Sequence, residues 1–445
     1  MTPEDLTDRF RAASMQLPQY PLSVQALGPP GQSKDTAVVA LRKPGVHPPV
    51  GSLYVHMPFC SHKCHYCDFY SFVDTRDQQA AFVDRLVDEL RALGPHAGRL
   101  KTVFIGGGTP SLLGLNLWER VLGALRSEFD LSGLGQGEFT VECNPETTTR
   151  ELCDLLAAGG VNRVSVGAQS FAPRHLKTLE RWHQPENVER AIERVRGAGI
   201  SRQSVDLIFA IPGQTLEDWS RDLERAVALG TEHLSCYALT FEPNTAMTRR
   251  LTMGEFARVD EDLEADMFEL TARELGKAGL ARYEVSNFAR VGAESLHNLA
   301  YWRQSQWLAA GPSASGHVLA SGRTRDGSWR WKNVPRLGDY LASDGFSPAT
   351  DVEGPDPLRF ARERIMMGLR LSEGLGARAL LDDLRAIAPA AAERLCVRGT
   401  RMVNEGWLTM SEERWTLTEA GLLMCDGLAG ELMACVREAG ENADR

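Results

Sequence analysis

The segment between about residues 51 and 240 alternates short apolar runs, rich in β-branched residues, with longer amphipathic stretches. Strands that alternate with helices in this way predict an α/β fold with a parallel sheet. Curled on itself, such a sheet forms a partial, TIM-like (β/α)6 barrel, in which chemistry gathers at the carboxyl ends of the strands. Polar and glycine-rich sequences fall at those ends here. The predicted strands are 53–57, 102–105, 139–142, 163–166, 204–209 and 233–239, and the predicted helices are 79–93, 117–129, 150–158, 186–198 and 216–229.

Composition narrows the class of protein and its location. The chain has 445 residues, 43% of them hydrophobic, which is enough for a large core and two or three domains. Its net charge of −10 argues against broad nucleic-acid binding. It has no apolar run of the length, about 18 residues, that a membrane span needs. Its acidic start lacks the apolar region of a signal peptide, and nine scattered cysteines then indicate a reducing cytoplasm without a disulfide framework.

The chain divides into three regions that differ in composition and predicted structure. Residues 1–50 are rich in proline and glycine and predict a poorly ordered extension. Residues 51–350 contain the predicted barrel, a helix at 254–277 and an irregular stretch at 283–317. Residues 351–445 predict a small α+β, winged-helix-like domain, with helices at 360–371, 377–384 and 420–437 and a hairpin formed by 406–410 and 414–418.

Three cysteines directly after the first predicted strand form the strongest motif of the chain. Cys60, Cys64 and Cys67 have the spacing C-x3-C-x2-C. Three thiolates can hold three irons of a [4Fe–4S] cluster, which leaves the fourth iron open to a small chelating molecule. A structural zinc site is the alternative, and it needs a fourth ligand. The candidates for that ligand are His56, His62 and His65.

Residues at the ends of later predicted strands could contact a molecule bound to that iron. Three glycines in the segment 106–110 let the backbone approach a ligand closely, although a tight turn also explains them. Glu142 could accept hydrogen bonds from an amine or from ribose hydroxyls, or form a structural salt bridge. Asp206 lies in an apolar strand, where an acid is costly unless it is paired or functional. Arg181 could clamp a carboxylate, but on spacing alone it is typical of a solvated charge at a helix end.

Taken together, these motifs resemble those of one superfamily. The sequence at 54–60, the cysteine spacing and the glycine-rich loop are similar to those of radical S-adenosylmethionine (SAM) proteins. The segments 142–145 and 206–215 narrow the resemblance to the branch that contains oxygen-independent coproporphyrinogen III oxidase (HemN) and the heme chaperone HemW. The resemblance runs from about residue 52 to about residue 432, and it implies a barrel of the radical SAM type.

The resemblance also implies roles for individual residues. Cys60, Cys64 and Cys67 would ligate the cluster, and SAM would chelate the remaining iron through its amine and carboxylate. Reductive cleavage of SAM would then give methionine and a 5′-deoxyadenosyl radical. Tyr66, between two ligands, could pack on the adenine or shield the cluster. The implied SAM contacts are Tyr54, Tyr66, Gly107, Gly108, Thr109, Glu142, Gln169, Arg181, Asp206 and Ala238.

Two functions of different classes fit this branch: a chaperone that holds and transfers heme, and an oxidase that decarboxylates two propionates of coproporphyrinogen III. The oxidase branch typically has a further cysteine two residues after the last ligand, where this chain has Phe69. The sequence HNLAYW at 297–302 matches the H-N-x-x-Y-W motif of the chaperone branch. An imidazole suits heme iron, so His297 is the expected heme ligand, with a hydrogen-bonded structural role as its alternative. Tyr301 and Trp302 could line the macrocycle, and His317 is a weaker candidate ligand.

The sequence thus predicts a cytoplasmic heme chaperone that binds a [4Fe–4S] cluster, SAM and heme, with the oxidase as the alternative function. We expect its partners to be apo-hemoproteins, those of the respiratory chain among them, and an electron donor, with peripheral contact to a membrane as an option. No catalytic residue is assigned, and oxidase turnover is not expected. Two features depart from the pattern of the relatives. Ala210 replaces their usual glycine, and 307–314 is less glycine-rich.

Overall fold

A computed structural model describes residues 49–437 of the chain. The predicted N-terminal extension therefore lies, except for its last two residues, outside the described part. In chain order the first strands are β1 (Val50–Met57), β2 (Phe59–Cys60), β3 (Phe72–Val73), β4 (Ala97–Gly107), β5 (Glu138–Cys143), β6 (Arg163–Gln169), β7 (Arg202–Phe209), β8 (His233–Ala238), β9 (Ala281–Glu284), β10 (Asn287–Ala289) and β11 (Leu308–Ala310).

Six strands form the parallel sheet that the alternating pattern predicts. β1, β4, β5, β6, β7 and β8 lie side by side in sequence order, and each pairs in parallel with the next. Three further strands extend this sheet. β11 pairs in parallel with β1 at one edge, while β10 and β9 add antiparallel pairs beyond β8 at the other. The stretch 283–317, expected to be irregular, thus contributes to both edges.

Helices cover the outer face of the sheet, because the strands alternate apolar outward-facing and polar inward-facing residues. On β5, Phe139 and Val141 belong to the apolar core, whereas Thr140 and Glu142 face the opposite side. The helices as far as the end of the sheet are α1 (Gln79–Leu93), α2 (Leu115–Glu128), α3 (Arg150–Ala158), α4 (Pro173–Thr178), α5 (Pro185–Gly197), α6 (Leu216–Ala228), α7 (Ala246–Thr252), α8 (Glu261–Lys277) and α9 (Leu296–Trp302).

A three-stranded antiparallel sheet follows the main sheet and is tied to it by one buried carboxylate. Its strands are β12 (Ser315–Leu319), β13 (Ser328–Asn333) and β14 (Ala349–Glu353), with α10 (Leu337–Leu341) between the last two. Glu89 on α1 accepts hydrogen bonds from Gly311 N at 2.8 Å, Asn333 Nδ2 at 3.0 Å and the Tyr340 hydroxyl at 2.7 Å. These bonds satisfy an acid that would otherwise be costly to bury.

The C-terminal part is a small α+β domain with its own apolar cluster, which includes Leu384, Leu395 and Trp415. Three helices precede a hairpin, of which the sequence predicts two; the helix at Pro389–Asn404 was not predicted, and the predicted last helix is divided in two at Met424. The boundary proposed at residue 350 remains a prediction. The elements are α11 (Pro357–Gly368), β15 (Leu375–Gly376), α12 (Ala377–Ile387), α13 (Pro389–Asn404), β16 (Leu408–Met410), β17 (Arg414–Leu417), α14 (Glu419–Leu423) and α15 (Cys425–Ala434).

Between residues 49 and 437, none of the helices is both long enough and apolar enough to span a bilayer.

Candidate cofactor site

One cavity of about 490 Å³ opens at the carboxyl ends of the parallel strands and extends between their inward-facing side chains. Side chains from all six strands line it, so the sheet curls around the cavity as a partial barrel. The sequence motifs that are far apart in the chain meet here. The predicted site residues that line the cavity are Tyr54, Cys60, Cys64, Tyr66, Cys67, Gly107, Gly108, Thr109, Glu142, Gln169, Arg181, Asp206, Ala238 and His297.

Each of the three cysteines lies within reach of a different hydrogen-bond donor. Thr109 Oγ1 is 3.6 Å from Cys60 Sγ, Arg181 Nη1 is 3.6 Å from Cys64 Sγ, and Lys63 Nζ is 3.9 Å from Cys67 Sγ. All three cysteines are free thiols. Two cations and a hydroxyl are thus within reach of the three sulfurs, whose thiolate forms are the ones that bind iron.

The side chains around the cysteines test whether these residues could instead form a structural zinc site. In the described part of the chain, no three His, Cys, Asp or Glu side chains converge closely enough to hold one metal ion. The three thiolates of a cubane bind three different irons, so they need not converge on one point. The imidazole of His56, one candidate fourth ligand, is hydrogen-bonded at Nδ1 to the Tyr54 hydroxyl (3.0 Å) and at Nε2 to the Tyr70 carbonyl (2.7 Å).

The glycine-rich loop after β4 lies directly against the segment that carries the cysteines. Gly108 N donates to the Met57 carbonyl at 2.6 Å, and Thr109 N donates to the Phe59 carbonyl at 2.7 Å. A Cβ atom on Gly108 would lie 2.6 Å from the Phe59 carbonyl oxygen, and one on Gly107, where φ is +107°, would collide with the His56 ring. The glycines are therefore required for this loop to pack beside the cysteines.

Two half-buried acids line the cavity. Glu142 Oε2 accepts a hydrogen bond from Gly107 N at 3.0 Å, and burial raises the Glu142 pKa to about 7. Both Asp206 carboxylate oxygens lie 3.0 Å from Ser165 Oγ, and burial raises the Asp206 pKa too. A neighbouring hydroxyl thus makes this acid tolerable within an apolar strand. Neither residue forms an ion pair with N···O below 4.0 Å among the described residues.

Arg181 differs from the expectation based on its spacing. Its guanidinium points inward, donates to the Gly167 carbonyl at 3.1 Å and approaches Cys64, so it is not a solvated charge at a helix end. Its Nε is buried and has no hydrogen-bond partner among residues 49–437. Gln169, which ends β6 nearby, has a φ of +63°. An inward cation with an unused donor beside the cysteines suits a carboxylate-bearing ligand.

His297 lies on the wall of the same cavity, on α9. Its Nδ1 is 2.8 Å from Thr102 Oγ1, while its Nε2 is buried and has no partner within the described residues. Burial lowers the His297 pKa to about 4, so the ring is neutral at pH 7. Aromatic rings surround it, with centroids at 5.2 Å for Phe104 and 4.7 Å for Tyr301.

The other residues of the predicted heme site are placed differently. Tyr301 lines the cavity, but Trp302 does not, and its ring lies 5.9 Å from the Arg370 guanidinium instead. His317 on β12 is also outside the cavity. It stacks on Phe360 at 5.9 Å, and its Nδ1 is 3.0 Å from the Ser305 carbonyl. Its surroundings are those of a packed structural histidine.

Several cavity residues were not identified from the sequence. Their common signal is alternation, because they occupy the inward-facing positions of predicted strands or lie just after those strands. They include Phe104, Arg163, Ser165, His233, Ser235 and Tyr237.

Comparison with known proteins places this site in a family. Residues 54–226 match the Radical SAM superfamily, and residues 356–424 match the HemN C-terminal domain. The chain is 36% identical to the heme chaperone HemW of Mycobacterium tuberculosis over 402 residues, which cover 88% of this chain and 97% of that protein. The chain belongs to the HemW family. The HemW of Escherichia coli is 35% identical, with coverage of 86% and 97%.

A solved structure supports the fold of this HemW family member. Coproporphyrinogen III oxidase (HemN) from Escherichia coli superposes with a TM-score of 0.73 over 90% of this chain and 94% of that one. The two chains are 22% identical, so the likeness concerns the fold. It confirms the predicted radical SAM barrel with a small C-terminal domain.

Proposed function

We propose that this HemW family member is a heme chaperone that binds a [4Fe–4S] cluster, SAM and heme, and transfers heme to apo-hemoproteins. One observation carries the proposal: the cavity that contains three free cysteines is also lined by His297, a neutral imidazole whose buried Nε2 has no partner among residues 49–437. Curated relatives of nearly the same length, named heme chaperones, support it. The oxidase remains the alternative function, and Phe69 at the position of its extra cysteine argues against it.

The residues at the mouth of the cavity fit a cluster and SAM. Cys60, Cys64 and Cys67 would hold three irons, with Thr109, Lys63 and Arg181 donating toward their sulfurs. A cluster held there supplies the electron for reductive cleavage of SAM. Glu142 and Asp206, which line the cavity, would accept hydrogen bonds from the amine and hydroxyls of SAM. The unused Nε donor of Arg181 suits its carboxylate.

The surroundings of His297 fit heme iron. Ligation through Nε2 requires the tautomer in which Nδ1–H donates to Thr102 Oγ1, and the 2.8 Å separation of these atoms allows that bond. The lowered pKa keeps the ring neutral at pH 7, and in that tautomer Nε2 carries no proton. The Tyr54, Phe104 and Tyr301 rings give the ligand an apolar setting. The proposal also includes apo-hemoproteins as heme acceptors, an electron donor and peripheral contact with a membrane.

The decisive experiment is a heme titration followed by the Soret band. We expect His297→Ala to weaken heme binding at least tenfold, about 1.4 kcal/mol or more, because iron loses its axial ligand. The matched control is His317→Ala, which removes another buried histidine with an unpartnered Nε2 outside the cavity. Equal binding by His297→Ala and the wild type would exclude this ligand.

A second assay separates the two functions. Reduced protein with SAM and coproporphyrinogen III should give no protoporphyrinogen. Appreciable formation of protoporphyrinogen would make the oxidase the favoured function. The variant Phe69→Cys is a control. It introduces the extra cysteine typical of the oxidase branch and leaves the three cluster ligands unchanged.

A further inference from the structure

A buried arginine with unused donors lies on the inner wall of the barrel. Arg163 is the first residue of β6, is only 3% exposed, and lines the cavity. The one hydrogen bond that its side chain makes within the described part of the chain is long, 3.5 Å from Nη1 to Thr140 Oγ1. Among residues 49–437, no carboxylate oxygen lies within 4.0 Å of its guanidinium. A buried charge without a close partner is costly, so this arginine calls for an explanation.

Strand register places Arg163 at the level of the proposed heme ligand. Tyr54 pairs with Phe104, Phe104 with Thr140, and Thr140 with Arg163, which forms one row across four neighbouring strands. The rings of Tyr54 and Phe104 lie 6.5 and 5.2 Å from the His297 ring. Arg163 and His297 therefore line the same part of the cavity.

That level is distant from the cysteines. Arg163 and Gln169 are the two ends of β6, and six residues of strand rise about 20 Å. Arg181, by contrast, contacts Cys64 at the cluster end. A carboxylate of SAM bound to the cluster would meet Arg181, so Arg163 serves a different anion.

We propose that Arg163 binds a propionate carboxylate of the heme whose iron His297 ligates. The inference rests on the proposed function and adds a recognition residue to it. Heme combines the two features that this wall matches: a metal for Nε2 and carboxylates for a guanidinium. A charge-assisted hydrogen bond would satisfy donors that the protein leaves unused.

The competing explanation is electrostatic support of the nearby acids. Burial raises the pKa of Glu142 and of Asp206, and the Arg163 charge opposes both rises. In that case replacing Arg163 would change the affinity for SAM and for every other ligand of the cavity alike. The two explanations differ in whether the arginine distinguishes a carboxylate from its ester.

The test compares heme with heme dimethyl ester in optical titrations of the full chain. We expect the wild type to bind heme about tenfold more tightly than the ester, because esterification removes the charged partner of the guanidinium. Arg163→Gln should bind both equally, and Arg163→Lys should retain part of the preference. The matched control is Arg202→Gln, since Arg202 is the strand partner of Arg163 on β7 but does not line the cavity.

The outcomes separate this inference from the proposed function. Equal affinity of the wild type for heme and ester, or an undiminished preference in Arg163→Gln, would overturn the role of Arg163 alone. An equal loss of affinity for heme and ester in Arg163→Gln would favour the electrostatic explanation. It would also overturn the proposal that Arg163 binds a propionate. Absence of heme binding by the wild type would instead contradict the proposed function.

Discussion

Two residues beside the cavity hold a left-handed backbone conformation without being glycine. Gln169 has a φ of +63° at the end of β6, and Ala210 has a φ of +57° directly after β7. Such a conformation costs about 1–2 kcal/mol for a residue with a Cβ atom. Glycine would adopt this φ without that cost, so the departure from glycine expected at Ala210 from the sequence carries strain. Strain of this kind persists where the surrounding structure fixes the backbone, as it does around this cavity.

Binding of the cluster should depend on the thiol of Cys64. We expect Cys64→Ser to reduce anaerobically reconstituted iron from about four atoms per chain to nearly none, because the cluster loses one of its three thiolates. Iron and sulfide analysis with the visible absorption spectrum measures this. Cys143→Ser is the control, since Cys143 also lines the cavity but is a buried thiol whose pKa is raised by burial. Iron retained by Cys64→Ser would contradict the assignment of the ligands.

At the scale of elements, α9 depends on one buried carboxylate. Glu138, at the start of β5, accepts hydrogen bonds from Leu296 N at 2.7 Å, Ser295 Oγ at 3.1 Å and His297 N at 3.4 Å. An acid at a helix N-terminus complements the helix dipole and the free N–H groups there. Glu138 thereby fixes the helix that carries the proposed heme ligand.

Removing that charge should loosen α9. We expect Glu138→Gln to lower the free energy of unfolding by about 2 kcal/mol, because its amide group would face donors. Heme affinity should fall with it, since His297 is less well positioned. Urea unfolding and heme titration measure the two effects. Glu151→Gln, an exposed acid in the first turn of α3, should change neither. A variant as stable as the wild type would contradict this role.

His317 should make the contact between β12 and α11 sensitive to acid. Burial lowers the His317 pKa to about 4, whereas the imidazole of the unfolded chain is protonated below about pH 6.5. Protons therefore bind the unfolded state preferentially between these values, and stability is lost as the pH falls from 6.5 to 4. We expect the stability of the wild type relative to His317→Gln to fall by about 1.4 kcal/mol per pH unit there. A constant difference between pH 7 and 4.5 in urea unfolding would refute this.

The sequence predicted elements better where their pattern was long. Six alternating strands with helices between them were identified, since runs of four to seven residues show a clear period. The edge strands β10 and β11 have three residues each, which is too short for any period. Their pairing with β8 and β1 depends on contacts distant in sequence, which local pattern does not contain.

The candidate site shows the same limit. The cysteines were evident from their spacing, but most of the other site residues came from a resemblance to relatives. Arg181 illustrates why, because its sequence context is that of a surface helix end and only the fold turns it toward Cys64. Arg163 was within a predicted strand, yet its inward direction became meaningful only once the curled sheet enclosed a cavity.

At the scale of the whole molecule, one cavity serves two proposed ligands. Its volume of about 490 Å³ is that of a site for one drug-sized molecule. Tyr54, an implied SAM contact, lies 6.5 Å from the His297 ring. We expect saturating SAM to raise the apparent Kd for heme by about tenfold or more, and heme to weaken SAM reciprocally. Heme titrations at increasing SAM measure this, with ATP as the control for the adenine group. Unchanged heme affinity would show that the two ligands occupy separate space.

The edge pairing of β11 with β1 has a consequence for synthesis on the ribosome. The cysteines at 60–67 leave the exit tunnel early, but one of the two strands that border β1 consists of Leu308–Ala310. Nascent chains emerge at about 5–20 residues per second and fold from the N-terminus. The residues that line the cavity with these thiols extend as far along the chain as Tyr301, so its wall is complete only after most of the polypeptide has been made. Metal delivery can precede completion of the wall, and so can oxidative damage.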